Sequence, residues 1–287
     1  MNPAPSTNVF PHEAMATHWE IAIAGQERDY ARHAAAAAFR ELDRLETLLS
    51  RFVESSDIAR ANRLACGAST VISPETLECL LISADIALAT GRAFDPAYAT
   101  PRTPDLAPDA PPFTVDPDSL TLTARADRLR LDLGAVGKGY ALDQLAALLR
   151  TDWQIDAACL NAGSSSLLAF GAPEPGTRGW PAGLGEGASG REICLDGASL
   201  SGSGTAVQGE HLIDPRTGAP AARTTRTWAL APTAAQADAL STAFFVMSER
   251  EIAALCAAHP HLGAALSGPG ERLALYGALQ AAALSAR

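Results

Sequence analysis

The sequence predicts a mixed α/β (α+β) protein, built mainly from antiparallel strands with flanking helices. Three observations carry that reading. Met15–Ala24 alternates, with Trp19, Ile21 and Ile23 on one face, the period-2 pattern of a half-buried strand. Tyr30–Leu49 repeats at helical spacing, and Ala35, Ala38, Phe39, Leu42, Leu45 and Leu49 form its buried stripe. Leu120–Thr123 and Leu129–Leu133 alternate around an Arg125-Ala126-Asp127 turn, which reads as a hairpin.

The remaining elements follow in order. Met1–Glu13, rich in Pro, Ser and Asn, reads as a flexible tail ahead of one domain over residues 14–287. Ser50-Arg51-Phe52 breaks the first helix. Ser73 caps the next, Pro74 sits in its first turn and Gly91 ends it, with Leu77, Leu80, Leu81, Ala84 and Leu88 facing inward. Thr90–Pro96 forms a turn, and proline-rich Tyr98–Asp118 reads as an irregular loop. A helix is expected over Lys138–Leu149, then strands at Ala157–Asn161 and Leu167–Phe170. Pro173–Gly190 is an excursion around Trp180, after which short strands reach Ser201. A strongly apolar helix carries Ala234, Ala237, Leu240, Phe244, Phe245 and Met247. Ser248 and Glu251 form a capping box for the helix after it, and Leu273–Tyr276 is the last strand.

Length and composition set bounds. A chain of 287 residues can bury a sizeable core, and 47% hydrophobic against 19% charged residues describes a globular protein. The net charge of −10 argues against nucleic acid, which calls for a basic face, and against a polybasic membrane surface mode. Cys66, Cys79, Cys159, Cys194 and Cys256 lack Cys-x-x-Cys spacing and read as buried small apolar residues. The first residues lack a basic start and an apolar core, and no run of about eighteen apolar residues occurs. The expectation is a cytoplasmic protein with no membrane span.

Chemistry-bearing residues concentrate in two stretches, Leu131–Asp143 and Ser201–Met247. Asp238 and Thr242 stand four residues apart, so their oxygens share one helix face. Oxygen ligands on a buried helix need a partner, and a hard cation such as Mg²⁺ suits a carboxylate and a hydroxyl. The same spacing also describes a helix-start aspartate on the dipole and a threonine bonded to its own backbone. His211 ends a glycine-rich loop before the Asp214–Gly218 turn, where it can serve as a general base or simply bond a nearby carbonyl. Gly134–Tyr140 opens a helix as an anion-binding turn, with Lys138 beside it. Its Gly-x-x-Gly-Lys-Gly spacing is not a Walker pattern, and no Gly-x-Ser-x-Gly elbow occurs.

Seven blocks, in order, resemble those of the ApbE family, the FAD:protein FMN transferases. They are Met15-Ala16-Thr17, Ser50–Asn62, Thr90–Pro96, Asp132–Tyr140, Asn161-Ala162-Gly163, His211–Gly218 and Ala237–Thr242. The resemblance implies an FAD cleft between two lobes. It also implies Mg²⁺-dependent transfer of FMN from FAD to a threonine or serine of a target flavoprotein, with AMP released. An FAD pyrophosphatase and a non-catalytic FAD-binding protein are the alternatives.

By the same resemblance, His211 is the catalytic base. Met15, Phe52, Ala93, Phe94 and Asp95 contact FAD, as do Lys138, Gln144 and Leu212; for Phe52 simple core packing is the alternative. Asp238, Thr242 and the main-chain oxygen of Ala141 hold Mg²⁺. Many members of that family are exported. The chain departs from the family pattern at Arg92, where a second glycine is usual, at Ala162, and in a short, polar Ser201–Glu210 link.

Overall fold

The computed structural model describes residues 7–101, 106–107, 110–185, 190–204, 213–219, 226–268 and 273–285. Its centre is an antiparallel sheet of eight strands. These are β1 (Asn8–Ala14), β2 (Thr17–Ile23), β6 (Ala158–Ala162), β7 (Ser166–Phe170), β10 (Ala198–Gly204), β11 (Arg226–Ala231), β12 (Gly263–Ser267) and β13 (Leu273–Gly277), adjacent in that order. A second sheet pairs β3 (Ser69–Val71), β5 (Thr121–Ala124) and β4 (Phe113–Asp116), with β5 in the middle. β8 (Trp180–Leu184) and β9 (Arg191–Leu195) form a separate hairpin.

The pleat sorts side chains between two cores. Trp19, Ile21 and Ile23 of β2 enter the larger one, beneath α1 (Arg28–Leu49), α4 (Gly137–Thr151) and α5 (Ala234–Val246). Ala22, Ala169, Leu200, Trp228 and Ala265 face the other way, under the β8–β9 hairpin and α7 (Ala278–Ser285). The remaining helices are α2 (Asp57–Ala61), α3 (Pro74–Ala89) and α6 (Glu249–Ala258), giving seven among the described residues. None is long and apolar enough to cross a membrane.

Most expected elements are present, including the α1 stripe, the Ser73 cap of α3 and the Ser248–Glu251 capping box of α6. Several expectations need correction. Residues 8–13 are not a free tail: Asn8–Ala14 pairs along its whole length with β2. The two residues between these strands, Met15 and Ala16, take φ values of 50° and 55°. Both central residues of this hairpin turn are thus left-handed, the geometry normally given to Asn-Gly. Gly163 closes against this turn, since a side chain there would collide with the Thr17 hydroxyl. The Met15–Thr17 and Asn161–Gly163 blocks are therefore one structural unit.

The expected Leu120/Leu129 hairpin is replaced by a different pairing. β5 pairs with β4, which lies inside the segment read as irregular loop, and with β3. Leu129–Leu133 is not a strand. It is held by Asn62, whose side chain donates to the Leu131 carbonyl at 2.9 Å and accepts from the Leu131 amide at 2.7 Å. On α3, Leu77 and Leu80 are buried as expected, but Leu81, Ala84 and Leu88 face outward; Thr76, Cys79, Ser83 and Ile86 fill the inner face instead. Of the cysteines, Cys79 and Cys256 are buried, whereas Cys66 and Cys194 are exposed.

Candidate active site

Helix α5 is buried on almost every side, so a polar residue on it must find a partner inside the protein. Its N-cap is Thr233, which places Asp238 in the second turn, beyond the helix-start position. Asp238 is 4% exposed and looks across to α4 and β7. Its Oδ2 accepts the Gly139 amide at 3.1 Å and its Oδ1 accepts the Ser166 hydroxyl at 3.2 Å. The Lys138 ammonium lies 3.9 Å from Oδ2 and donates to the Gly134 carbonyl at 2.6 Å. One turn further along α5, the Thr242 hydroxyl is 3.3 Å from the Ser203 hydroxyl, which also meets Ser241 at 2.9 Å. Ser201, on β10 in register with Ser166, has a buried hydroxyl with no hydrogen-bond partner among the described residues.

This juncture demands close approach of two helices, and Gly139 permits it. A side chain at Gly139 would strike the Ala234 carbonyl at the start of α5. Asp143, also on α4, accepts the Ala234 and Ala235 amides at 2.7 and 2.9 Å. Its carboxyl is pushed up to about 6, chiefly by burial and slightly by the nearby Asp238 charge, against the downward pull of the two amides.

The donor set suits a hard cation in kind. No three His, Cys, Asp or Glu side chains converge among the described residues, so a cation here would rest on the Asp238 carboxylate, hydroxyls, carbonyls and water. Ala141 is fully buried in the second turn of α4, where its carbonyl already accepts the amide four residues on, leaving one lone pair.

A cavity of about 830 Å³, within the size range of small-molecule and cofactor sites, opens beside α3 and the turn that follows it. Ala84, Ala87 and Leu88 of α3 form an apolar wall of it, which explains why Ala84 and Leu88 face outward. Arg92, Phe94, Asp95, Pro215 and Arg216 also line it. Arg92 holds φ at 64°, so the usual glycine has been replaced where the backbone is left-handed. Asp95 accepts the Ala97 amide at 2.8 Å; burial pushes its carboxyl above the usual range, while that amide and Arg92 pull it down. The Pro96 carbonyl accepts the Asp132 amide at 2.9 Å, tying the cavity wall to the loop that carries Lys138. Arg216, which lines the cavity, forks onto Asp214 and also reaches Glu251 at 2.8 Å.

The ApbE family pattern matches residues 15–266. The chain belongs to the ApbE family. An FAD:protein FMN transferase of Klebsiella pneumoniae is 25% identical over 284 residues, covering 86% of this chain and 80% of the relative. Among solved structures, the flavin transferase ApbE of Vibrio cholerae superposes with a TM-score of 0.81 at 19% identity, over 95% of this chain and 97% of that one. The flavinyl transferase ApbE of Pseudomonas stutzeri gives 0.82 at 19%, covering 98% of each chain. The Thermotoga maritima apbe protein gives 0.78 at 20%, over 96% and 99%. These likenesses fix the fold as the ApbE fold.

Of the residues expected to act, the structure brings Lys138, Asp238 and Thr242 together, with Ala141 on the same α4 segment. Phe94 and Asp95 line the cavity, with Ala93 buried behind them. Met15 is half-buried at its strained turn and Gln144 half-buried on α4; neither lines the cavity. Phe52 is 78% exposed, with the Arg51 guanidinium 4.3 Å from its ring and held to Asp132 at 3.1 Å. His211 and Leu212 lie outside the described residues.

Sequence reasoning missed Asp143, Ser166 and Asn62. The Asp143 signal, a carboxylate five residues after Lys138, was legible only once the start of α5 was known to face it.

Proposed function

We propose that this protein is an Mg²⁺-dependent FAD:protein FMN transferase, which moves FMN from FAD to a serine or threonine hydroxyl of a target flavoprotein and releases AMP. The observation that carries the reading is the juncture of Asp238 with Gly139 and Lys138, whose loop is hydrogen-bonded through Asp132 to the cavity-lining Pro96, in a chain of the ApbE family.

FAD fits the cavity in chemistry. Ala84, Leu88 and Phe94 offer apolar and aromatic contact, and Asp95 can accept hydrogen bonds from ring or ribose donors. Of the three Lys138 donors, one serves Gly134 and one faces Asp238, which leaves one for a phosphate oxygen. His211, four residues before the cavity-lining Pro215, takes the proton of the acceptor hydroxyl. The hydroxyl oxygen bonds the flavin-side phosphorus, the bond from that phosphorus to the bridging oxygen breaks, and AMP leaves with the electron pair. Mg²⁺ held by Asp238, Thr242 and the Ala141 carbonyl would neutralise pyrophosphate charge.

The test is incubation with FAD, Mg²⁺ and peptides carrying a Ser/Thr acceptor, read by mass spectrometry. A peptide gaining the FMN mass with release of AMP is expected; neither product from the wild type would overturn the reading. His211→Ala should keep FAD binding and lose transfer by about 10²–10⁴-fold, the usual worth of a general base.

A further inference from the structure

We propose that Asp143 is the positioning residue of the site: by capping α5 from α4, it sets where Asp238 and Thr242 stand relative to Lys138. The inference rests on the transferase reading for its catalytic consequence, but its geometry stands alone.

The first four amides of a helix have no intrahelical partner and must be satisfied elsewhere. In α5 three of them, the amides of Ala234, Ala235 and Gln236, are taken by side chains. Thr233 serves Gln236 through its hydroxyl, and its carbonyl accepts the first intrahelical bond, from Ala237 at 3.1 Å. The first two, Ala234 and Ala235, are taken by the two oxygens of Asp143. Two of the three side-chain caps therefore come from a different helix. The second joint lies one turn away on α4, where the Gly139 amide bonds Asp238. Asp143 holds the start of α5 while Asp238, a turn later on α5, holds the start of α4. The two contacts run in opposite directions between the same two helices, so they fix both separation and rotation. A cap needed for stability alone could sit next to Thr233 in sequence; one placed on the Lys138 helix couples the cap to the site.

Gly139 supplies a readout independent of the reaction, because its amide exchange rate reports the α4–α5 joint. Three variants decide the matter: Asp143→Ala, Asp143→Asn, which keeps one acceptor oxygen, and Thr233→Ala, which removes the cap internal to α5. Asp143→Ala should speed Gly139 exchange at least tenfold, and Asp143→Asn should fall between it and wild type. Thr233→Ala should lower Tm comparably yet leave Gly139 exchange within threefold of wild type. In FMN transfer, Asp143→Ala should lower kcat at least tenfold with KM for FAD within threefold, while Thr233→Ala keeps kcat within threefold. Gly139 exchange unchanged in Asp143→Ala, or accelerated equally by Thr233→Ala, overturns the proposal. Wild-type protein without transfer activity would sink the transferase reading and leave the exchange result standing.

Discussion

The Gly139 amide donates to the Asp238 carboxylate across 3.1 Å, so the glycine of one motif is the hydrogen-bond partner of the acid of another 99 residues away. Gly139 is needed there for space, because its Cα faces the Ala234 carbonyl. Gly139→Ala should therefore push α5 away from α4. Overpacking of this kind costs about 1–3 kcal/mol. Urea unfolding should show a loss of at least that size together with loss of FMN transfer; a stable, active variant would mean that the helices can part without consequence.

Asp238→Asn keeps the volume and one acceptor oxygen but removes the charge facing Lys138. The fold should survive, with circular dichroism unchanged and Tm lowered by a few degrees. Transfer should fall at least a hundredfold and should no longer respond to added Mg²⁺. Calorimetric titration with Mn²⁺ gives a second check, since its binding should disappear in the variant.

Asn62→Ala removes both side-chain bonds to the Leu131 backbone. A buried polar group left without its partner costs about 1–3 kcal/mol, so the variant should lose about 2 kcal/mol by denaturant unfolding. Because Leu131 leads into the Asp132–Lys138 loop, transfer should weaken also, although Asn62 touches no candidate ligand.

The Arg216 cluster predicts a pH dependence. The Arg216 guanidinium holds the Asp214 carboxyl below its usual range, and Glu251 is lowered first by the Ser248 amide and hydroxyl and then by Arg216. Carboxyls with depressed folded values stabilise the protein fully above the ordinary unfolded value, about 4, and lose that contribution as pH falls through the folded value. Arg216→Ala should therefore lower Tm most near pH 6–7, with the gap to wild type closing below about pH 4. A gap constant from about pH 3 to 7 would show that Arg216 acts through packing.

Much of this was legible in the sequence because it was local. The stripe of α1, the Ser73 and Ser248 caps and the Asp238–Thr242 spacing depend on neighbours within a few residues. What escaped was set by distant partners. The Leu129–Leu133 run alternates like a strand but is clamped by Asn62, and Phe113–Asp116 becomes a strand only because β5 lies beside it. Leu88 and Ala84 read as core because periodicity cannot separate a buried face from one lining a cavity. Asp143 and Ser166 carry no spacing signal toward α5, since they reach it across the helix and sheet packing.

The left-handed pair Met15–Ala16 has a consequence for heat tolerance. Residues with a side chain pay of order 1–3 kcal/mol each to hold such a conformation, which an Asn-Gly pair adopts with ease. The double substitution Met15→Asn and Ala16→Gly should make the hairpin more heat-tolerant while deleting the Met15 thioether from the edge of the sheet. At this turn, heat tolerance and the packing of Met15 against the main core are set against each other.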